Sequence, residues 1–235
     1  MIEIPQIEFP DLKVEQGTLY IVSTPIGNLE DISFRAIYVL NNVDYIAAED
    51  TRTSGILLAA YGIKRKLISY YSQVETQKLE FILNELKSGK SIALISDAGT
   101  PCISDPGSIL VSNCVKENIE VVSIPGASSL IHSLVLSGFS TDKFYYHGFL
   151  PLKKGRETLF TEFKYMKMPI IIFESPFRIL KTLEDINKYM GNKEVCLGRE
   201  LTKKFEEIKR GRVKDLLQNK SSLKIKGEFV IIINI

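Results

Sequence analysis

YIVSTPIGNLEDISFRA, residues 20–36, begins as an apolar run, breaks at Thr-Pro-Ile-Gly-Asn and then takes up helical spacing. A strand that turns through a loop into a helix is where α/β proteins hold nucleotides. This loop has one glycine and no lysine, and it carries Glu30 and Asp31 where a phosphate cradle calls for bare amides and positive charge. The stretch therefore predicts an α/β fold whose ligand bears no phosphate cluster.

The same alternation recurs outward from it. LYIVS (19–23), YIAAE (45–49), LISYY (67–71), SIALIS (91–96) and EVVSI (120–124) read as strands, being short, β-branched or aromatic, and ended by turn residues. Between them FRAIYVLNN, TQKLEFILNELKSGK and PGSILVSNCVKEN space their apolar residues by three and four. The second stops at Lys87-Ser88-Gly89-Lys90, where glycine tolerates a left-handed cap and lysine suits the negative helix end. Strands alternating with helices predict an open, mainly parallel sheet with helices on both faces. An N-terminal arm (1–16) precedes this α/β domain (17–138). Beyond FSTDKFYYHGFLP (139–151), the helical patterns RETLFTEFKYM and FRILKTLEDINKYM and the strands PIIIF, EVCLG and EFVIIINI predict a C-terminal α/β domain (139–235) with a mixed sheet.

Bulk properties narrow the class. The chain has 235 residues, 45% hydrophobic and 25% charged, which is ordinary for a globular protein. The first sixteen residues carry acids and prolines instead of a basic start and an apolar block, and no apolar run approaches a membrane span, so a cytoplasmic location is expected. Cys102, Cys114 and Cys196 are too scattered for a disulfide frame or a zinc site, and no metal is expected. The net charge of +2 conceals an asymmetry: residues 1–149 hold 11 Lys and Arg against 17 Asp and Glu, residues 150–235 hold 19 against 11. A basic rear half suits a polyanionic partner.

In a parallel sheet, ligands settle at the carboxyl ends of the strands where the winding reverses. Four loops in that position are unusual: STPIGN, AAEDTRTS (47–54), ISDAGTPCISDPG (95–107) and SIPGASS (123–129). Their chemistry is hydroxyls, amides and carboxylates, with neither a Walker lysine nor GxGxxG spacing. That suits a ligand with ribose hydroxyls and cationic centres. S-adenosylmethionine, with a sulfonium, an ammonium and no phosphate, fits.

At this point the chain resembles a known family, the bacterial 16S rRNA (cytidine 2′-O) methyltransferases of the tetrapyrrole methylase superfamily. The matching words are GTLYIVSTPIGNLEDIS (17–33), AAEDTR (47–52), ISDAGTPCISDPG, SIPGASS, FESPFR (173–178), GRELTKKFEE (198–207) and KGEFV (226–230), in order from Gly17 onward. Family members often have PGPSA where this chain has PGASS, and YESPH where it has FESPF. The resemblance implies a two-domain methylase with S-adenosylmethionine in an interdomain cleft, against Pro25, Ile26, Gly27 and Asn28, then Ser96, Asp97 and Thr100, with Ser128 and Ser129 on the far side. Glu174 and Leu201 of the second domain would complete the pocket. It further implies a cytidine in the decoding region of small-subunit rRNA as target, the assembled subunit as partner, and a homodimer.

A ribose hydroxyl must shed its proton as it takes a methyl group, and a positioned base contributes about 100-fold or more. The EDTR loop offers Glu49 and Asp50 beside Arg52, and Lys203 is a further candidate. Asp50 or Glu49 accepts the proton or holds the ribose, while Arg52 fixes the loop or a phosphate; alternatively an Asp50–Arg52 pair only orders the turn. Arg178, Arg199, Lys203 and Lys204 lie within matched motifs and are expected to meet RNA, with Lys153, Lys154 and Arg156 as a second patch. Two other readings share parts of this pattern. A precorrin-type small-molecule methylase would keep the cofactor loops without needing a basic half, and a non-catalytic RNA-binding assembly factor would not need the acidic EDTR loop.

Overall fold

The computed structural model describes residues 13–235; most of the expected N-terminal arm, residues 1–12, lies outside the described residues. The chain forms two compact units that meet in sequence at Ser128 and Ser129.

The first unit alternates strand and helix: β1 (Leu19–Val22), α1 (Phe34–Asn42), β2 (Tyr45–Ala48), α2 (Thr51–Ala60), β3 (Lys66–Ser69), α3 (Glu75–Lys87), β4 (Ile92–Ile95), α4 (Ser108–Lys116) and β5 (Val121–Ile124). The sheet order is β3-β2-β4-β1-β5, with every pair parallel. β1 and β4 are buried along their whole length because both faces are covered, which is why their sequences are apolar without alternation. Alternate residues still serve opposite faces. Tyr20, Val22, Ile46, Ala48, Ala93 and Ile95 pack with α1 and Leu58 of α2, whereas Leu19, Ile21, Ala47, Ile92 and Leu94 pack with α3 and α4. Ser33 caps α1 by accepting from the Ala36 amide at 3.1 Å, and α3 stops at Gly89, at φ 91°, as the LKSGK pattern predicts.

The second unit contains α5 (Ser129–Ser137), β6 (Tyr145–Phe149), α6 (Arg156–Phe163), β7 (Ile170–Glu174), α7 (Ile179–Asp185), β8 (Glu194–Arg199), β9 (Glu207–Arg212), α8 (Val213–Gln218) and β10 (Phe229–Ile233). Its sheet order is β6-β7-β10-β8-β9. Only β6 and β7 run parallel; the other pairs are antiparallel, so the sheet is mixed as expected. Ile170, Ile172, Val195, Leu197, Ile231 and Ile233 join Phe160, Phe163, Ile179 and Leu183 in the core of one face.

The two units divide between Ser128 and Ser129, whereas the composition change in the sequence lies near residue 138. α5 packs against β8 and β10, and Arg210 of β9 donates to the backbone carbonyls of Ser137, at 3.1 Å, and Leu136. The helix follows β5 in sequence but packs on the second sheet, with Leu130, Ser133, Leu134 and Ser137 buried. Elements that go beyond the sequence reading include α2, β6 and the edge strand β9.

Candidate active site

In the first unit, β2 leads outward to β3 while its neighbour β4 leads across to β5. Connections that diverge from adjacent strands open a crevice at their carboxyl ends. The loops there are AAEDTR after β2 and ISDAGTP after β4, and they are tied together by the Asp50 amide, which donates to Asp97 Oδ1 at 3.1 Å.

The loops after β1, β4 and β5 form one laced wall. Thr24 and Gly99 exchange backbone hydrogen bonds at 2.9 and 3.1 Å, and the Thr24 hydroxyl donates to the Ser96 carbonyl at 3.3 Å. Ser23 and Thr100 share a hydroxyl hydrogen bond of 2.9 Å, and the Thr100 hydroxyl also reaches the Ala127 carbonyl at 3.3 Å. A Cβ on Gly126 would sit 2.8 Å from Ser23 Cβ, so only glycine lets the SIPGASS turn approach β1 this closely. Pro25 and Ile26 are buried, Gly27 is exposed, and Asn28 Oδ1 accepts from the Glu30 amide at 3.1 Å to cap the short 3-10 turn Leu29–Asp31. Ser128 ends this unit and Ser129 opens α5 in the next.

Glu75, which the sequence analysis did not single out, is buried at the start of α3. Its Oε1 accepts from the Gly107 amide at 2.8 Å and the Tyr70 hydroxyl at 3.0 Å. It thereby supports the 95–107 loop, in which Cys102 and Ser104 adopt left-handed backbone at φ 73° and 67°. Such strain persists only where the surroundings over-determine it, and it gathers at functional loops.

The carboxylates divide by environment. Asp50 is the N-cap of α2: its Oδ1 accepts from the Arg52 amide at 2.8 Å and Nε at 3.1 Å, and its Oδ2 from Nη2 at 2.7 Å. The Arg52 guanidinium and amide hold the Asp50 carboxyl down at about 2, while the Arg52 side chain remains 89% exposed. Glu49 behaves oppositely. Burial pushes its carboxyl above the usual carboxylate range, helped by the charges of Asp97 and Asp50. Asp105, another residue the sequence reading left without a role, is pushed up to about 6 by burial and then by the charges of Glu49 and Asp97. Of the two EDTR acids, Glu49 is the raised carboxyl and Asp50 is the cap of α2.

In the second unit, the expected site residues turn out to be bonded internally. Glu174 is buried, with Oε1 accepting from the Ser175 amide at 2.8 Å and Arg178 Nη2 at 2.7 Å, and Oε2 from the Thr182 hydroxyl at 2.6 Å. Arg178 also donates to the Leu150 carbonyl at 3.0 Å. Arg156, expected in a surface patch, is instead buried between Asp185 at 2.8 Å and Thr182 at 2.6 Å. Arg199 is likewise buried, giving Nε to Glu207 at 3.1 Å, Nη1 to the Lys226 carbonyl at 3.3 Å and Nη2 to the Phe205 carbonyl at 2.9 Å. Leu201 is buried in the following turn, where Glu200 and Thr202 take positive φ. Lys203 bridges Glu200 and Glu228, both at 3.0 Å. Burial alone would lower its ammonium, but the hydrogen bonds to Glu228 and Glu200 outweigh it and hold the group above its ordinary value, which unfits it as a base. Lys204 is exposed.

The donor set suits S-adenosylmethionine, the cofactor implied by the motifs. The loops after β1, β4 and β5 contain no lysine or arginine, the one cation of the loop after β2, Arg52, is paired with Asp50, and the other polar groups are carboxyls, hydroxyls and amides. Such a wall favours a sulfonium and an ammonium and repels a polyphosphate. Among the described residues no group of His, Cys, Asp and Glu is arranged to hold a metal ion, and no helix is long and apolar enough to cross a membrane.

Comparison with known proteins bears on the family and the fold. The model of the tetrapyrrole (corrin/porphyrin) methylases matches residues 18–217. Ribosomal RNA small subunit methyltransferase I of Thermotoga maritima is 44% identical over 218 residues, covering 93% of this chain and 98% of that protein. Its namesake from Halalkalibacterium halodurans is 45% identical over 220 residues, 93% of this chain and 76% of that one. The Pasteurella multocida protein of the same name is 47% identical over 221 residues, 92% and 79%. Among solved structures, a cobalt precorrin-4 methyltransferase has a TM-score of 0.67 at 18% identity, covering 93% of this chain and 95% of that one. A diphthine synthase has 0.72 at 13%, covering 92% and 90%. At those identities the structures establish the fold alone. Methylases of this kind use S-adenosylmethionine. With the family model reaching across both units and relatives matching along most of their length, this chain belongs to the tetrapyrrole (corrin/porphyrin) methylase family, among the ribosomal RNA small subunit methyltransferase I proteins.

Proposed function

We propose that this protein methylates small-subunit ribosomal RNA using S-adenosylmethionine, and that the acceptor is the 2′-oxygen of a cytidine ribose in the decoding region. The observation that carries the reading is the match to relatives named for small-subunit rRNA methylation, across 98% of the Thermotoga protein's length. The finer assignment to a ribose hydroxyl draws support from Glu49, since an alcohol acceptor needs a base and this carboxyl is raised by burial.

The cofactor supplies an electrophilic methyl group on sulfur. The residues of this chain do the rest. With the cofactor bound, Glu49 would hold and take the proton of the acceptor hydroxyl. Asp50 holds the α2 N-terminus and the Arg52 guanidinium, and Asp97, through the Asp50 amide, keeps the β2 and β4 loops in register. Ser96, Asp97 and Thr100 with Pro25 to Asn28 form the cofactor wall, and exposed lysines of the second unit meet the RNA. The same resemblance supports a homodimer as the working form and the assembled subunit as substrate.

The test is transfer of labelled methyl from S-adenosylmethionine to small subunits from cells lacking this protein, followed by nuclease digestion and mass mapping. Label in 2′-O-methylcytidine at one decoding-region position is expected. Label on a base, or transfer to a precorrin-type acceptor but not to rRNA, overturns the proposal. Naked rRNA assayed beside intact subunits, and light scattering of the protein, test the substrate form and the dimer.

A further inference from the structure

The sheet of the second unit has one end where four loops emerge together. Glu174 at the end of β7 is in register with Phe229 at the start of β10, Phe229 with Arg199 at the end of β8, and Arg199 with Glu207 at the start of β9. On the other side Phe173 is in register with Phe149 at the end of β6. The segments 150–155, 175–178, 200–206 and 224–228 therefore leave from the same edge. Two of them carry an aromatic ring that the core does not take in: Phe177 is 96% exposed and Phe205 63% exposed.

Phe177 is presented, not left loose. It occupies the tip of the Ser175–Arg178 turn, closed by the Arg178 amide donating to the Ser175 carbonyl at 3.1 Å. The Glu174 carboxylate clamps both ends of that turn, at the Ser175 amide and the Arg178 guanidinium, and Arg178 is anchored in turn on the Leu150 carbonyl. A turn closed in this way, with a ring 96% exposed at its tip, offers that ring to an external partner. Around it the edge is cationic. Lys153, Lys154 and Lys224 are exposed, and Lys204 lies with its ammonium 5.8 Å from the centre of the Phe205 ring. The acids of these loops are engaged internally: Glu200 and Glu228 with Lys203, and Glu206 with the Thr202 amide at 2.6 Å.

Exposed rings beside unneutralised lysines match single-stranded RNA, whose unstacked bases lie on aromatic faces while its phosphates meet ammonium groups. Duplex RNA offers the phosphates but no free base face. We propose that Phe177, with Phe205 as a second platform, stacks unpaired nucleobases of the RNA substrate, and that this edge selects single-stranded over paired RNA. This inference rests on the proposed function for the identity of the substrate, but its readout is binding, not methyl transfer.

The experiment measures affinity of the full-length protein for a fluorescent single-stranded oligoribonucleotide of mixed sequence and for the same strand annealed to its complement. Base stacking on an aromatic is worth about 1–3 kcal/mol, so Phe177→Ala should weaken single-strand binding roughly 5- to 150-fold and leave duplex binding unchanged. Phe177→Leu should lose as much and Phe177→Trp should restore it. Lys153→Gln with Lys154→Gln should weaken both RNAs and flatten the salt dependence. Unchanged single-strand affinity in Phe177→Ala overturns the proposal. So does an equal loss for duplex, a drop in oligomeric mass that marks Phe177 as a subunit contact, or Phe177-dependent binding to anionic vesicles in place of RNA. If the wild type binds single strands through Phe177 yet transfers no methyl to rRNA, the proposed function fails and this inference stands.

Discussion

At the scale of single residues, surroundings set the two EDTR acids apart. Glu49 and Asp50 are adjacent, yet burial raises one carboxyl while an arginine lowers the other. Glu49→Gln should reduce turnover at saturating RNA by about 100-fold or more with the fold intact. In the wild type the rate should fall as pH drops through the raised Glu49 pKa, which places that acid limb above the ordinary carboxylate range; rapid-quench methyl transfer against pH checks it. Asp50→Ala should reduce turnover less and instead lower the thermal midpoint. Because the folded-state carboxyl sits near 2, its stabilisation is present above the unfolded value and fades as pH falls from about 4 towards 2. Asp105 carries the opposite sign. With its folded pKa pushed up to about 6, the fold loses stability as pH rises from the unfolded value through 6. Asp105→Asn should therefore be more stable than the wild type at pH 7.5, by an order of 1–3 kcal/mol, with the gap closing below about pH 4 in urea titrations.

At the scale of elements, the loops depend on backbone proximity and on one buried acid. Gly126→Ala places a methyl 2.8 Å from Ser23 Cβ and must move the β5 turn off the β1 loop. S-adenosylmethionine affinity by calorimetry should fall about tenfold or more while circular dichroism stays native-like, since small misplacements in a positioned site are costly. Glu75→Ala leaves the Gly107 amide and the Tyr70 hydroxyl unpaired, and denaturant unfolding should show a loss of about 1–3 kcal/mol for each orphaned donor. The elements that escaped sequence reading share a physical cause. TRTSGILLAA has β-branched residues and a glycine and no apolar stripe, so α2 depends on its Asp50 cap and on Leu58 reaching the core. YYHGF and EIKRGR form edge strands of the second sheet, with one side unpaired and neither the apolar run nor the clean alternation of an inner strand.

For the whole molecule, charge predicts a division of labour. The acidic front half carries the loops suited to a cationic cofactor, and the basic rear half carries the lysine-rich edge. Raising salt should therefore weaken RNA binding steeply and leave S-adenosylmethionine affinity nearly flat, as fluorescence titration at several ionic strengths would show. Not every cation contributes to that slope. Arg156, Arg178 and Arg199 count as charge in the sequence but spend their donors on Asp185, Glu174, Glu207 and backbone carbonyls. The amino-acid sequence by itself determined the parallel five-stranded first unit, the mixed second sheet and the family. Strand burial on both faces and turn chemistry are written in local runs of residues, and local runs are legible without coordinates. Only the tertiary structure decided that α5 belongs with the second sheet, that Glu49 and not Asp50 is the raised carboxyl, and which cations face solvent. Those properties are set by desolvation and by partners drawn from distant parts of the chain, and neither leaves a mark on the sequence near the residue it changes.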